Sequence, residues 1–132
     1  MLHGELPPCI SDLSELVVLN LDNNRLNGPM LLELFMAPSL EVLKLSNNIL
    51  GGTLEISRFY PAMPKLRILN LHNNAFNGRL PWTFSLFEKL EELTLHGNKL
   101  VGSAEKICGL PTLSLLTADC TFINCGCCSE CH

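Results

Sequence analysis

The chain repeats itself, and that repetition limits it to very few shapes. Leu16-Val17-Val18-Leu19-Asn20-Leu21-Asp22-Asn23-Asn24-Arg25-Leu26-Asn27-Gly28 recurs with variations at residues 40–52, 66–78 and 90–102, with starts at 16, 40, 66 and 90 and so spacings of 24, 26 and 24. A period of this length marks a stacked array in which each repeat is one supersecondary unit. One unit cannot bury its own apolar face, so neighbours must stack to make a continuous core.

Each position in the period has a physical task. Leu69 and Leu71 alternate with Ile68, Asn70 and His72, which is strand spacing. Side chains alternate along a strand, so Leu19 and Leu21 are expected to point inward and Val18, Asn20 and Asp22 outward. Asn24, Asn48, Asn74 and Asn98 stand where the chain turns inward. Turn amides and carbonyls there need partners, and an Asn side chain offers both a donor and an acceptor. Gly28, Gly52, Gly78 and Gly102 suit a tight bend with close backbone approach or positive φ. Two further columns are apolar apart from one tyrosine hydroxyl: Ile10, Leu34, Tyr60, Phe84 and Ile107, and Leu13, Ala37, Met63, Phe87 and Leu110. The return segments are therefore expected to bury a face through short helical or 3₁₀ turns.

The motif resembles leucine-rich repeats, and within them the plant-type class with Asn-x-Leu-x-Gly-x-(Leu/Ile)-Pro, best seen in Asn74-Ala75-Phe76-Asn77-Gly78-Arg79-Leu80-Pro81. The resemblance implies an α/β right-handed solenoid with a parallel sheet on its concave face and short helical, 3₁₀ or irregular convex segments. It also implies non-catalytic recognition by a secreted or cell-surface protein. Plant-type relatives serve as receptor ectodomains and as inhibitors of cell-wall enzymes, and the resemblance does not choose between them.

Residues 1–119 are read as the solenoid, with about five repeats, the first incomplete. Leu2-His3-Gly4-Glu5-Leu6-Pro7 matches Phe76-Asn77-Gly78-Arg79-Leu80-Pro81 without the strand that should precede it, so the chain reads as part of a longer protein. The 26-residue repeat carries extra chain around residues 56–64, which is expected to be a loop. The last turn starts at Leu113, with Leu116 and Ala118 in the strand positions and Cys120 near the Asn column.

Residues 120–132 are read as a cap. Cys108, Cys120, Cys125, Cys127, Cys128 and Cys131 crowd the end of the chain. The leading reading is a disulfide lid in an oxidising compartment, because this Gly/Ser-rich tail has too little apolar surface to close the core by burial. Six cysteines allow 15 pairings, and sequence does not choose among them. The tail is also similar to the ends of plant-type repeat proteins of diatoms and related algae, in which Ala-Asp-Cys precedes a Cys-x-Cys-Cys cluster. Zinc held by the cluster and thiol redox chemistry are alternatives. Cys128-Ser129-Glu130-Cys131-His132 also spells a haem-attachment motif, but no haem pocket is apparent upstream. Cys9 stands apart, either pairing outside this sequence or remaining an idle thiol. No resident cofactor is expected.

Function is expected on the outward columns: Val18, Val42, Ile68, Glu92 and Leu115; then Asn20, Lys44, Asn70, Thr94 and Thr117; then Asp22, Ser46, His72, His96 and Asp119. The apolar column fits either strand propensity or a partner surface. His72 and His96 are expected on adjacent strands, about 5 Å apart. They are read as solvated polar residues, with a metal pair or a pH-sensitive contact as the functional alternatives. No Gly-x-Ser-x-Gly, phosphate loop or His-Glu-x-x-His occurs, and Ser46 and Asp119 lie three strands apart, too far for a triad. A net charge of −4 with no basic stripe argues against nucleic acid, and no apolar run is long enough to span a membrane. The expected partner is a protein, peptide or glycan on the concave face. A structural or adhesion protein without a dedicated ligand, or a metal- or redox-active tail on a solenoid, are the competing readings.

Overall fold

A computed structural model describes residues 1–55 and 65–132. The inserted loop, with Tyr60 and Met63 of the apolar columns, lies outside the described residues. Two six-stranded parallel sheets run the length of the molecule. The inner sheet holds β2 (Val18–Asn20), β4 (Val42–Lys44), β6 (Ile68–Asn70), β8 (Glu92–Thr94), β10 (Leu115–Ala118) and β12 (Glu130–Cys131). Its register aligns Val18, Val42, Ile68, Glu92 and Leu115 in one row across five strands.

The outer sheet was not foreseen. It is built from β1 (His3–Glu5), β3 (Arg25–Pro29), β5 (Ile49–Gly52), β7 (Ala75–Arg79), β9 (Lys99–Ser103) and β11 (Ile123–Asn124). Four of its strands, β3, β5, β7 and β9, run through the Asn-x-Leu-x-Gly segments and their Phe76 variant, whereas β1 has only Leu2-His3-Gly4 and β11 belongs to the tail. Leu26, Leu50, Phe76 and Leu100 turn inward from it, and Gly78 takes φ +81° where the strand bends away.

Four 3₁₀ turns return the chain: η1 (Pro8–Asp12), η2 (Leu32–Met36), η3 (Trp82–Leu86) and η4 (Ile107–Gly109). Leu34, Phe84 and Ile107 of the first apolar column are buried, as are Ala37, Phe87 and Leu110 of the second. Phe35, Phe84 and Phe87 pack ring on ring at 5.5–5.7 Å. Leu13 departs from its column and is exposed, because it lies on the first turn, where no other described turn stacks outside it.

The asparagine ladder ties one turn to the next. Asn48 Nδ2 donates to the carbonyls of Leu21, Leu45 and Ser46, and its Oδ1 accepts from the Leu26 amide. Asn74 and Asn98 repeat the pattern one and two turns on. The residue before each ladder Asn is left-handed: Asn23, Asn47, Asn73 and Gly97 all have positive φ. Asn tolerates that region better than most residues. At Gly97 a Cβ would collide with the Asn73 side chain, which only glycine avoids.

Candidate functional site

The inner sheet presents its outward columns as expected, but at unequal depth. Val18 and Asn20 are exposed, whereas Val42, Lys44, Ile68, Glu92 and Leu115 are half-buried. Asn70, Thr94 and Thr117 are buried beneath their neighbours. Ser46 is fully buried and supports the His72 ring rather than facing solvent. Asp22 accepts from the Ser46 amide at 2.6 Å, and Asp119 accepts from the amides of Gly97 and Asn98, so both carboxylates serve the turns.

The third column ends in a stack of three imidazoles. His72 and His96 lie nearly parallel with centroids 4.7 Å apart, and His96 and His132 lie nearly parallel at 3.7 Å. The pairing of β12 with β10 brings His132 there, and its amide bonds the Ala118 carbonyl. Sequence spacing located the first two rings but not the third, whose arrival depends on how the tail folds back. His72 Nδ1 lies 2.7 Å from Thr94 Oγ1 and 3.0 Å from Ser46 Oγ, and His96 Nδ1 lies 2.7 Å from Thr117 Oγ1. His72 Nδ1 thus faces two hydroxyls, and Thr94 Oγ1 in turn donates to Asn70 Oδ1. Burial holds His72 below the ordinary imidazole value, opposed first by the Asp22 carboxylate. Burial and then the neighbouring His132 and His72 rings do the same to His96. Parallel rings point their nitrogens alongside one another and not toward a common centre, so the stack is a poor metal cradle. Ser46 does reach His72, but its burial and the engagement of Asp119 in the turn leave no nucleophile–base–acid arrangement.

A charge ladder borders the sheet. Arg67 Nε donates to Glu91 Oε2 at 2.6 Å, with Glu41 Oε1 3.9 Å from its guanidinium on the other side. All three side chains are well exposed, so solvent screens the pairs.

The cysteine tail folds back against the last turn, pairing β12 with β10 and β11 with β9, and carries three crosslinks. Cys108 pairs with Cys127, Cys120 with Cys131, and Cys125 with Cys128, with Cα separations of 5.7, 5.3 and 5.6 Å. Cys9 is free and exposed. The Sγ atoms of Cys108, Cys125 and Cys127 lie within 4.8 Å of one another. Two disulfides meet there, and a disulfide sulfur is not the thiolate a metal needs.

A leucine-rich repeat family model matches residues 65–87. The chain is similar in structure to the plant peptide hormone receptor RGFR1 in complex with RGF2, with 33% identity and a TM-score of 0.82 over 93% of this chain and 19% of that one. It is similar to PEPR1 of the PEPR1–AtPEP1 structure, with 30% identity and a TM-score of 0.78 over 86% and 16%. It is also similar to the ectodomain of the receptor kinase SOBIR1 from Arabidopsis thaliana, with 31% identity and a TM-score of 0.75 over 85% and 60%. This chain thus spans about a fifth or less of RGFR1 and PEPR1. No curated protein matches it by sequence.

Proposed function

We propose that this leucine-rich repeat solenoid is a recognition module that binds a peptide or protein segment across its inner sheet, outside the cell or on its surface. The observation that carries this reading is the row Val18, Val42, Ile68 and Leu115, apolar and at least partly exposed, interrupted by Glu92 and flanked by Lys44 and His72. Adjacent strands lie ~4.8 Å apart, so four strand spacings give a track of about 19 Å, room for about six residues of extended chain crossing the strands. The side chains stand on paired strands, so little ordering entropy is lost on binding. A solved structure of the same fold is a plant peptide hormone receptor, RGFR1, in complex with RGF2, which supports the class of ligand. The three crosslinks support an oxidising compartment. Residues 120–132 act as the lid of the core in this reading.

The test is affinity capture from secreted and surface fractions with the parent and two variants. Ile68→Glu places a carboxylate in the middle of the row and should weaken capture at least about tenfold. The fold should survive, because Glu92 occupies the same row one strand over. Lys89→Glu, exposed and outside the inner sheet, should change nothing. Retention of every partner by Ile68→Glu, or loss of partners with Lys89→Glu, contradicts the reading.

A further inference from the structure

A second surface lies away from the inner sheet, where the outer sheet gives way to the 3₁₀ turns. It is a groove of about 570 Å³, within the usual size of small-ligand sites. Its lining includes Glu55 from one turn, Arg79 and Trp82 from the next, and Ser103, Glu105 and Lys106 from the turn after. Trp82 is the only tryptophan in the chain and stands 52% exposed. Its neighbours on the return segment, Phe84 and Phe87, are in the core, so packing does not require Trp82 to be aromatic. Lys106 Nζ lies 5.4 Å from the centre of its ring. Thr83, also in the lining, holds the one buried side-chain oxygen without a hydrogen-bond partner among the described residues.

We propose that this groove is a binding subsite for a neutral saccharide. A sugar ring has an apolar C–H face and a rim of hydroxyls that both donate and accept. The groove answers both, with one flat exposed indole and a mixed rim: Glu55 and Glu105 only accept, Arg79 and Lys106 only donate, and Ser103 does both. Two negative and two positive side chains sum to zero, which offers an anionic polymer no net attraction. Sugar hydroxyls, which both donate and accept, can pair with each of these four groups. The proposal is independent of the inner-sheet reading, because none of its residues lies on that sheet.

The lone tryptophan makes the test direct, since all indole emission comes from Trp82. The full chain is titrated with cello-, xylo-, laminari- and manno-oligosaccharides while Trp82 fluorescence is followed, with a tryptic casein digest as the peptide arm. The expected result is a saturable emission change with at least one neutral oligosaccharide. Binding should weaken at least about tenfold in Glu105→Ala and in Arg79→Ala, both of which keep the fluorophore and alter exposed side chains. Ile68→Glu should bind the sugar like the parent. In calorimetry Trp82→Ala should lose binding and Trp82→Tyr keep part of it. The proposal is overturned by the absence of any saturable response across the panel, by affinities unchanged in Glu105→Ala and Arg79→Ala, or by a response to the peptides alone.

Discussion

At the first turn the inward-facing Leu19 and Leu21 are only half-buried, whereas their counterparts at the last turn, Leu116 and Ala118, are 1% and 0% exposed. The same repeat chemistry builds both ends, and what differs is the tail paired against the last turn. Past Cys120 the tail adds β11 to the outer sheet and β12 to the inner one, sets Ile123 into the core and fixes the arrangement with three crosslinks. An inner-sheet strand needs a neighbour to occupy its hydrogen bonds and to shield the leucines beneath it. The tail does this with few apolar residues, because crosslinking restricts the unfolded chain and so lowers the burial needed.

Removing the lid should have the largest effect. Replacing Cys108, Cys120, Cys127 and Cys131 by serine deletes two crosslinks of 19 and 11 residues' separation, each worth about 2–4 kcal/mol. Urea melts should show the loss, and hydrogen exchange should rise first over residues 115–124. Exchange that rises evenly along the solenoid would break the comparison. Cavities sharpen it next. Leu116→Ala, under the lid, should cost about 2–5 kcal/mol. Leu19→Ala, half-buried at the other end, should cost about 1 kcal/mol. Equal losses would mean that the first turn is shielded as well as the last.

The ladder asparagines form a milder version of the same pair. Asn48 is buried between two turns, and Asn48→Ala should cost about 1–3 kcal/mol by leaving the Leu26 amide and the carbonyls of Leu21, Leu45 and Ser46 short of a partner. Asn24 holds the Leu2 amide near solvent, so Asn24→Ala should cost clearly less in the same melts. The smallest effect is in pH dependence, and it belongs to the lidded half. His72 and His96 titrate below the ordinary value of 6.5 when folded. The unfolded chain therefore binds more protons just below that value, and stability should fall as pH drops through it. Asp22 and Glu92 facing His72, and Asp119 and Glu130 facing His96, oppose the effect. In melts across this range His96→Asn should flatten the slope; an unchanged slope would show that the stack is not its source.

Much of this was legible in the sequence because a repeat states its register several times. Leu43, Leu45, Leu69, Leu71, Leu93 and Leu95 are all fully buried, as alternation required. The outer sheet was less legible: each of its strands is a few residues long, and all but β11 run through a glycine that reads as a turn, while pairing to the next turn makes it a strand. The left-handed column at Asn23, Asn47, Asn73 and Gly97 was visible as Asn-Asn and Gly-Asn pairs, which the ladder role of the second residue overshadowed. Disulfide pairing and the arrival of His132 were beyond sequence reasoning, because both depend on a path of the tail that no repeat fixes. The burial of Ser46, Asn70 and Thr94 on a face read as open has a local cause: small polar side chains lie low between taller neighbours, two of them against the His72 ring.

The claim that partners bind the inner sheet is tested most directly by methyl cross-saturation on the isotope-labelled chain bound to its captured partner. Irradiating the partner should attenuate the methyls of Val18, Val42, Ile68 and Leu115 and spare Val101 on the outer sheet and Ile107 on the convex turn. Attenuation centred on Val101, with the inner row untouched, would contradict the account.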